Sequence, residues 1–90
     1  MIVIWQPPAL DSLADYYVGL SLDEQRSGQA LMQRIDNRLA DNPWYLGESR
    51  ATPTRRVWFT GPFAITFELP PGKSVYVLLL RVLKHRADEP

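Results

Sequence analysis

Seven side chains in the second half of this 90-residue chain hold most of its chemical options: Arg50, Arg55, Arg56, Arg81, Lys84, His85 and Arg86. Guanidinium forks offer fixed donors for a phosphate or a phosphoryl transition state, and an imidazole titrating near neutrality can carry a proton, all without a metal. Trp58 lies among them and can stack a base. Arg50, Arg55, Trp58 and Lys84 are therefore candidates for binding an anionic target. The competing reading is that basic residues at strand ends stand in solvent to protect sheet edges, and that a single His after a strand is ordinary surface. Glu48 is either a solvated loop carboxylate or a general base near Arg50 and His85.

Other chemistries are excluded by what the chain lacks. It has no Cys, which removes disulfides, thiolate metal sites and cysteine nucleophiles and fits a reducing cytoplasm. There is no phosphate-binding glycine loop, no dinucleotide fingerprint and no metal-spaced His or Asp pair, and His85 is the one His, so neither metal catalysis nor a Ser-His-Asp arrangement is expected. The sequence thus predicts neither a metal nor a cofactor. Met1-Ile2-Val3-Ile4-Trp5 is too short for a signal-peptide core and is broken at Pro7-Pro8. The longest apolar run, Val75 to Leu80, is six residues, far below the roughly 18 that span a bilayer. No membrane association is expected.

Charge is balanced in total and divided along the chain. Residues 1–49 carry three basic and seven acidic side chains, and residues 50–90 carry seven and three. The halves are therefore −4 and +4, so overall neutrality argues against tight nonspecific RNA binding but not against a local anionic site.

Several elements must position these residues. Residues 2–5 are β-branched or aromatic and read as a first strand. From Pro8, Leu10, Leu13, Ala14, Tyr17 and Leu20 recur at helical spacing, with Pro in the first turn and Gly19 weakening the end. Ser21-Leu22-Asp23-Glu24 is a capping box that opens a second helix over 22–41, with Leu31, Ile35 and Leu39 on its buried face and Arg26, Arg34, Arg38 and Asp36 turned to water. Asn42-Pro43 ends it, and a loop runs from Pro43 to Pro53. Trp5, Trp44 and Tyr45 are expected to pack in the core, since aromatics dominate the buried area of small domains.

Beyond the loop the period becomes two. Val57 and Phe59 alternate with Arg56, Trp58 and Thr60; after a Gly61-Pro62 turn, Phe63, Ile65, Phe67 and Leu69 alternate with Ala64, Thr66 and Glu68. Pro70-Pro71-Gly72 makes another turn, and Val75 to Leu83 is apolar on both faces, as in a central strand. The expected fold is a single α+β domain over residues 1–90, ordered β-α-α-β-β-β, with an antiparallel meander packed on two N-terminal helices. At 46% hydrophobic the chain can fill one modest core. The other sheet face stays open, and the alternation is expected to place Arg56, Trp58, Thr60, Ala64, Thr66 and Glu68 there.

This order, together with particular residues, resembles the RelE/ParE toxin superfamily of bacterial type II toxin–antitoxin systems. The residues are Ile4-Trp5 followed by Ala9 and Leu13, then Ile35, Leu39, Asn42-Pro43 and Gly47. Arg56 opening a strand, Gly61-Pro62-Phe63-Ala64-Ile65-Thr66-Phe67, and Val75-Tyr76-Val77 ending in His85-Arg86 complete the set. The resemblance implies a growth inhibitor of the cytoplasm, neutralised by a cognate antitoxin and acting on ribosome-bound mRNA or on DNA gyrase. It implies catalytic roles for Arg56, His85 and Arg86 if the chain is a metal-independent endoribonuclease. The family's hairpin Arg is replaced by Ala64, and Ala87-Asp88-Glu89-Pro90 follows the last Arg where many ribonuclease members place an aromatic. A non-catalytic binding module of the same fold, acting through a protein partner, is the alternative.

Overall fold

The structure is a computed structural model and describes residues 1–50, 52–70 and 72–83, with Arg50 represented by its backbone. Strand β1 (Ile2–Trp5) leads through Gln6 into helix α1 (Pro7–Val18), whose first two positions are prolines. Their missing N–H groups lie where a helix has no partner for them. Helix α2 (Leu22–Asp41) opens on the expected capping box. The Glu24 amide donates to Ser21 Oγ at 3.2 Å, and the Ser21 amide donates to Glu24 Oε1 at 2.9 Å. The hydrogen bonds to Ser21 hold the Glu24 carboxyl below its ordinary pKa. One link across the helical hairpin has no sequence signature: Gln25 Nε2 donates to the carbonyls of Tyr17 (3.2 Å) and Leu20 (3.3 Å), satisfying groups at the end of α1. Gly28 of α2 packs against the Tyr17 ring of α1, which a Cβ there would meet at 2.8 Å.

The segment after α2 is more ordered than expected. A single turn of 3-10 helix (Pro43–Tyr45) is followed by a short strand β2 (Glu48–Arg50), then β3 (Thr52–Thr60), β4 (Phe63–Glu68) and β5 (Ser74–Val82). The sheet therefore has five strands, in the order β1-β5-β4-β3-β2. The meander from β3 to β5 is antiparallel as predicted, β2 adds an antiparallel edge strand where a loop was expected, and β1 pairs parallel to β5, so the sheet is mixed. That pairing makes β5 the internal strand its two-sided apolar sequence calls for.

One layer of core lies between helices and sheet. Ala9 of α1, Met32, Ile35 and Leu39 of α2, Phe63, Ile65 and Phe67 of β4, and Val75, Val77 and Leu80 of β5 are all buried. Tyr16 closes the cluster edge-on against Phe63, with ring centroids 5.0 Å apart at 74°. Trp5 packs against the same core and donates its indole N–H to Asp36 Oδ1 at 2.9 Å. Asp36, expected to face water, thus ties β1 to α2.

Candidate functional site

Which residues reach the open face is decided by register. Gly61 and Pro62 form a two-residue turn, with Gly61 at φ 55° and Thr60 paired with Phe63. Paired residues project to the same side, so even-numbered positions of β3 share a face with odd-numbered positions of β4. Arg56, Trp58 and Thr60 accordingly align with Phe67, Ile65 and Phe63 on the helix side. Their expected place on the open face is therefore corrected. Val57 and Phe59 take it, beside Thr66 and Ala64. Ala64, Thr66 and Glu68 lie on the open face as the alternation predicts.

A bulge in β5 completes the face. Thr66 pairs with Leu79 and Phe67 with Val77, which leaves Leu78 as the extra residue. The alternation of β5 flips there: Val75 and Val77 point into the core, then Leu80 does, while Leu79 and Arg81 turn outward. The result is a shallow groove of about 390 Å³ lined by Val57, Phe59, Ala64, Thr66, Leu79 and Arg81. Phe59 is 54% exposed and Leu79 50%, so apolar side chains line the groove and face solvent.

The predicted site residues do not gather into one pocket among the described residues. Arg55 is on the open face, but it is committed: its Nε donates to Glu68 Oε1 at 3.1 Å. Glu68 also accepts from the Thr54 hydroxyl, and these bonds hold its carboxyl below the ordinary value, the Thr54 contact foremost. Arg56 points the opposite way, donating from Nη1 to the Trp44 carbonyl at 2.7 Å and, at 3.5 Å, to that of Leu46. Its Nε is buried without a partner. Trp58, half-buried, supports the guanidinium of Arg38 at 5.8 Å. Glu48 registers with Val57 on β2. Lys84, His85, Arg86 and the side chain of Arg50 lie outside the described residues.

The open-face residues Phe59 and Leu79 were missed, although the two-residue turn carried the signal for Phe59. Trp44 and Tyr45 also depart from expectation: they are 45% and 83% exposed rather than packed. No cluster of His, Cys, Asp or Glu suited to a metal occurs among the described residues. No described helix is long and apolar enough to cross a membrane.

No protein-family model matches the chain, and no curated protein does. Among solved structures, a chain described as "Chromosomal ParDE TA system from P. aeruginosa" superposes with a TM-score of 0.72, covering 93% of this chain and 97% of that one. The two chains share one fold. It is the RelE/ParE-like fold that the sequence resemblance implies. Their identity is 18%, so the likeness concerns architecture, and the chemistry of this chain must be argued from its own side chains.

Proposed function

We propose that the chain is the toxin-like component of a type II toxin–antitoxin system, a growth inhibitor restrained by a cognate antitoxin, and that its open sheet face docks on a protein target. DNA gyrase is the target the resemblance offers for such a mode. The observation that carries this reading is the apolar groove of Val57, Phe59 and Leu79 with the Arg81 cation beside it. An apolar centre with a charged rim fits burial against protein, whereas an RNA-cutting face needs several cations around one phosphate. Ala64 at the hairpin position of the family's Arg supports the same choice. Messenger RNA cleavage is the second reading, favoured by Arg81 standing exposed on this face just before Lys84, His85 and Arg86 in sequence.

Induced expression in a bacterial host, with plasmid DNA and messenger analysed from the same culture, separates the readings. The proposal predicts growth arrest with protein-linked cleaved DNA and intact messenger. Messenger cut at ribosomes, relieved by Arg86→Ala, would transfer the function to ribonuclease action. Unimpaired growth with a stoichiometric protein partner would identify the non-catalytic module instead.

A further inference from the structure

A second concave site lies on the other side of the molecule, where α2 ends. Asn37, Arg38, Asp41, Asn42, Tyr45 and Leu46 line a pocket of about 630 Å³. Its loop is held rigidly. Pro43 and Leu46 are buried, the Tyr45 amide donates to the Asn42 carbonyl at 3.2 Å, and Arg56 grips the carbonyls of Trp44 and Leu46. Gly47, at φ 70°, lies so close to β3 that a Cβ would fall 2.5 Å from the Val57 carbonyl oxygen. A loop fixed this firmly presents Tyr45 almost fully to solvent, with Trp44 half-exposed beside it. Exposed aromatics on a rigid scaffold cost little ordering entropy when a ligand stacks on them.

Among the described residues, the charged side chains of the pocket have no ion-pair or hydrogen-bond partner. Arg38 rests on Trp58 with no carboxylate partner among the described residues, and no side-chain hydrogen bond engages Asp41 or Asn42. Asn37 accepts from Gln33 Nε2 at 3.2 Å, which leaves its own amide N–H groups to donate. We infer that this pocket binds a guanine nucleotide unit: the base stacks on Tyr45, its N1–H and exocyclic amine donate to the Asp41 carboxylate, and its phosphate meets Arg38. A carboxylate accepts two parallel donors, and guanine alone among the bases presents an N–H and an amine side by side. An adenine edge offers an acceptor where guanine offers its N1–H, so Asp41 repels it. The unit comes either from a free nucleotide or from a guanine in an RNA strand.

Calorimetric titration of the full chain with GMP, AMP, ribose 5-phosphate, a guanine-containing RNA tetranucleotide and argininamide tests the inference. GMP is expected to saturate one site and to bind at least about tenfold more tightly than AMP, the discrimination of one good bidentate pair. Asp41→Asn should abolish that preference, and Tyr45→Ala should weaken both nucleotides alike; both residues are exposed, and circular dichroism verifies the fold. Equal affinity for GMP and the tetranucleotide identifies a free nucleotide as the ligand, whereas tighter tetranucleotide binding identifies a strand. The inference is overturned if neither binds saturably, if the two variants bind like the parent, or if AMP or argininamide matches GMP. Phe59→Asp on the open face should leave GMP binding unchanged, so this site and the proposed function stand or fall separately.

Discussion

The two faces of the sheet carry the same kinds of residue to opposite ends. On the helix side, β3 contributes Arg56 and Trp58, a cation and an aromatic that would suggest ligand chemistry in a sequence, and the structure uses both for construction: one grips backbone carbonyls, the other supports Arg38. On the open side, β3 contributes Val57 and Phe59, which look like core residues and are left facing solvent. Residue type alone therefore does not assign a side chain to function. Exposure without a partner does so better, and by that measure the apolar face is the available one.

Paired substitutions put the comparison under strain. Phe67→Ala empties a fully buried site facing Arg56 across the strands, and should cost about 3–5 kcal/mol in urea unfolding. Phe59→Ala, directly beside Trp58 in sequence but half-exposed, should cost under about 1 kcal/mol. Equal losses would mean that the open face is covered in the native state. Arg56→Met keeps the stem and removes the donors to Trp44 and Leu46, so it should destabilise by about 1–3 kcal/mol and loosen the 43–47 segment in hydrogen exchange. A purely catalytic Arg56 would leave the unfolding midpoint unchanged.

The smallest effect belongs to the Arg55–Glu68 pair at the border of the open face. Because the folded Glu68 carboxyl lies below its ordinary value of 4.5, its contribution is present above that value and is lost as the pH falls through the folded one. The pair is partly exposed, so solvent and salt weaken it. Melting temperatures of the parent and Glu68→Gln should differ slightly near neutrality and converge in acid. A gap that widens in acid would reverse the assignment.

Much of the frame was legible in the sequence for identifiable reasons. Ser21 and Glu24 marked the start of α2 because a capping box satisfies two orphan donors through side chains three residues apart, just ahead of a helical apolar pattern. The apolar run of β5 announced an internal strand. What stayed hidden depended on parity and on distant pairing. Alternation says which residues share a face, not which face, and a two-residue turn exchanges odd for even between strands. The bulge at Leu78 repeats the exchange in β5 without a Gly to signal it. Strand β2 is three residues long and owes its existence to pairing with β3, which local sequence does not record. Trp44 and Tyr45 looked like core because aromatics usually are; the buried positions of their loop went to Pro43 and Leu46 instead.

We propose that the uncovered apolar face is the working surface of this chain. That role is tested most directly by the double variant Phe59→Asp/Leu79→Asp, assayed for growth inhibition on induction and for thermal unfolding. Both side chains are about half-exposed, so the double variant should melt close to the parent and lose the growth arrest proposed for the parent. A folded double variant that still arrests growth as the parent does would contradict it.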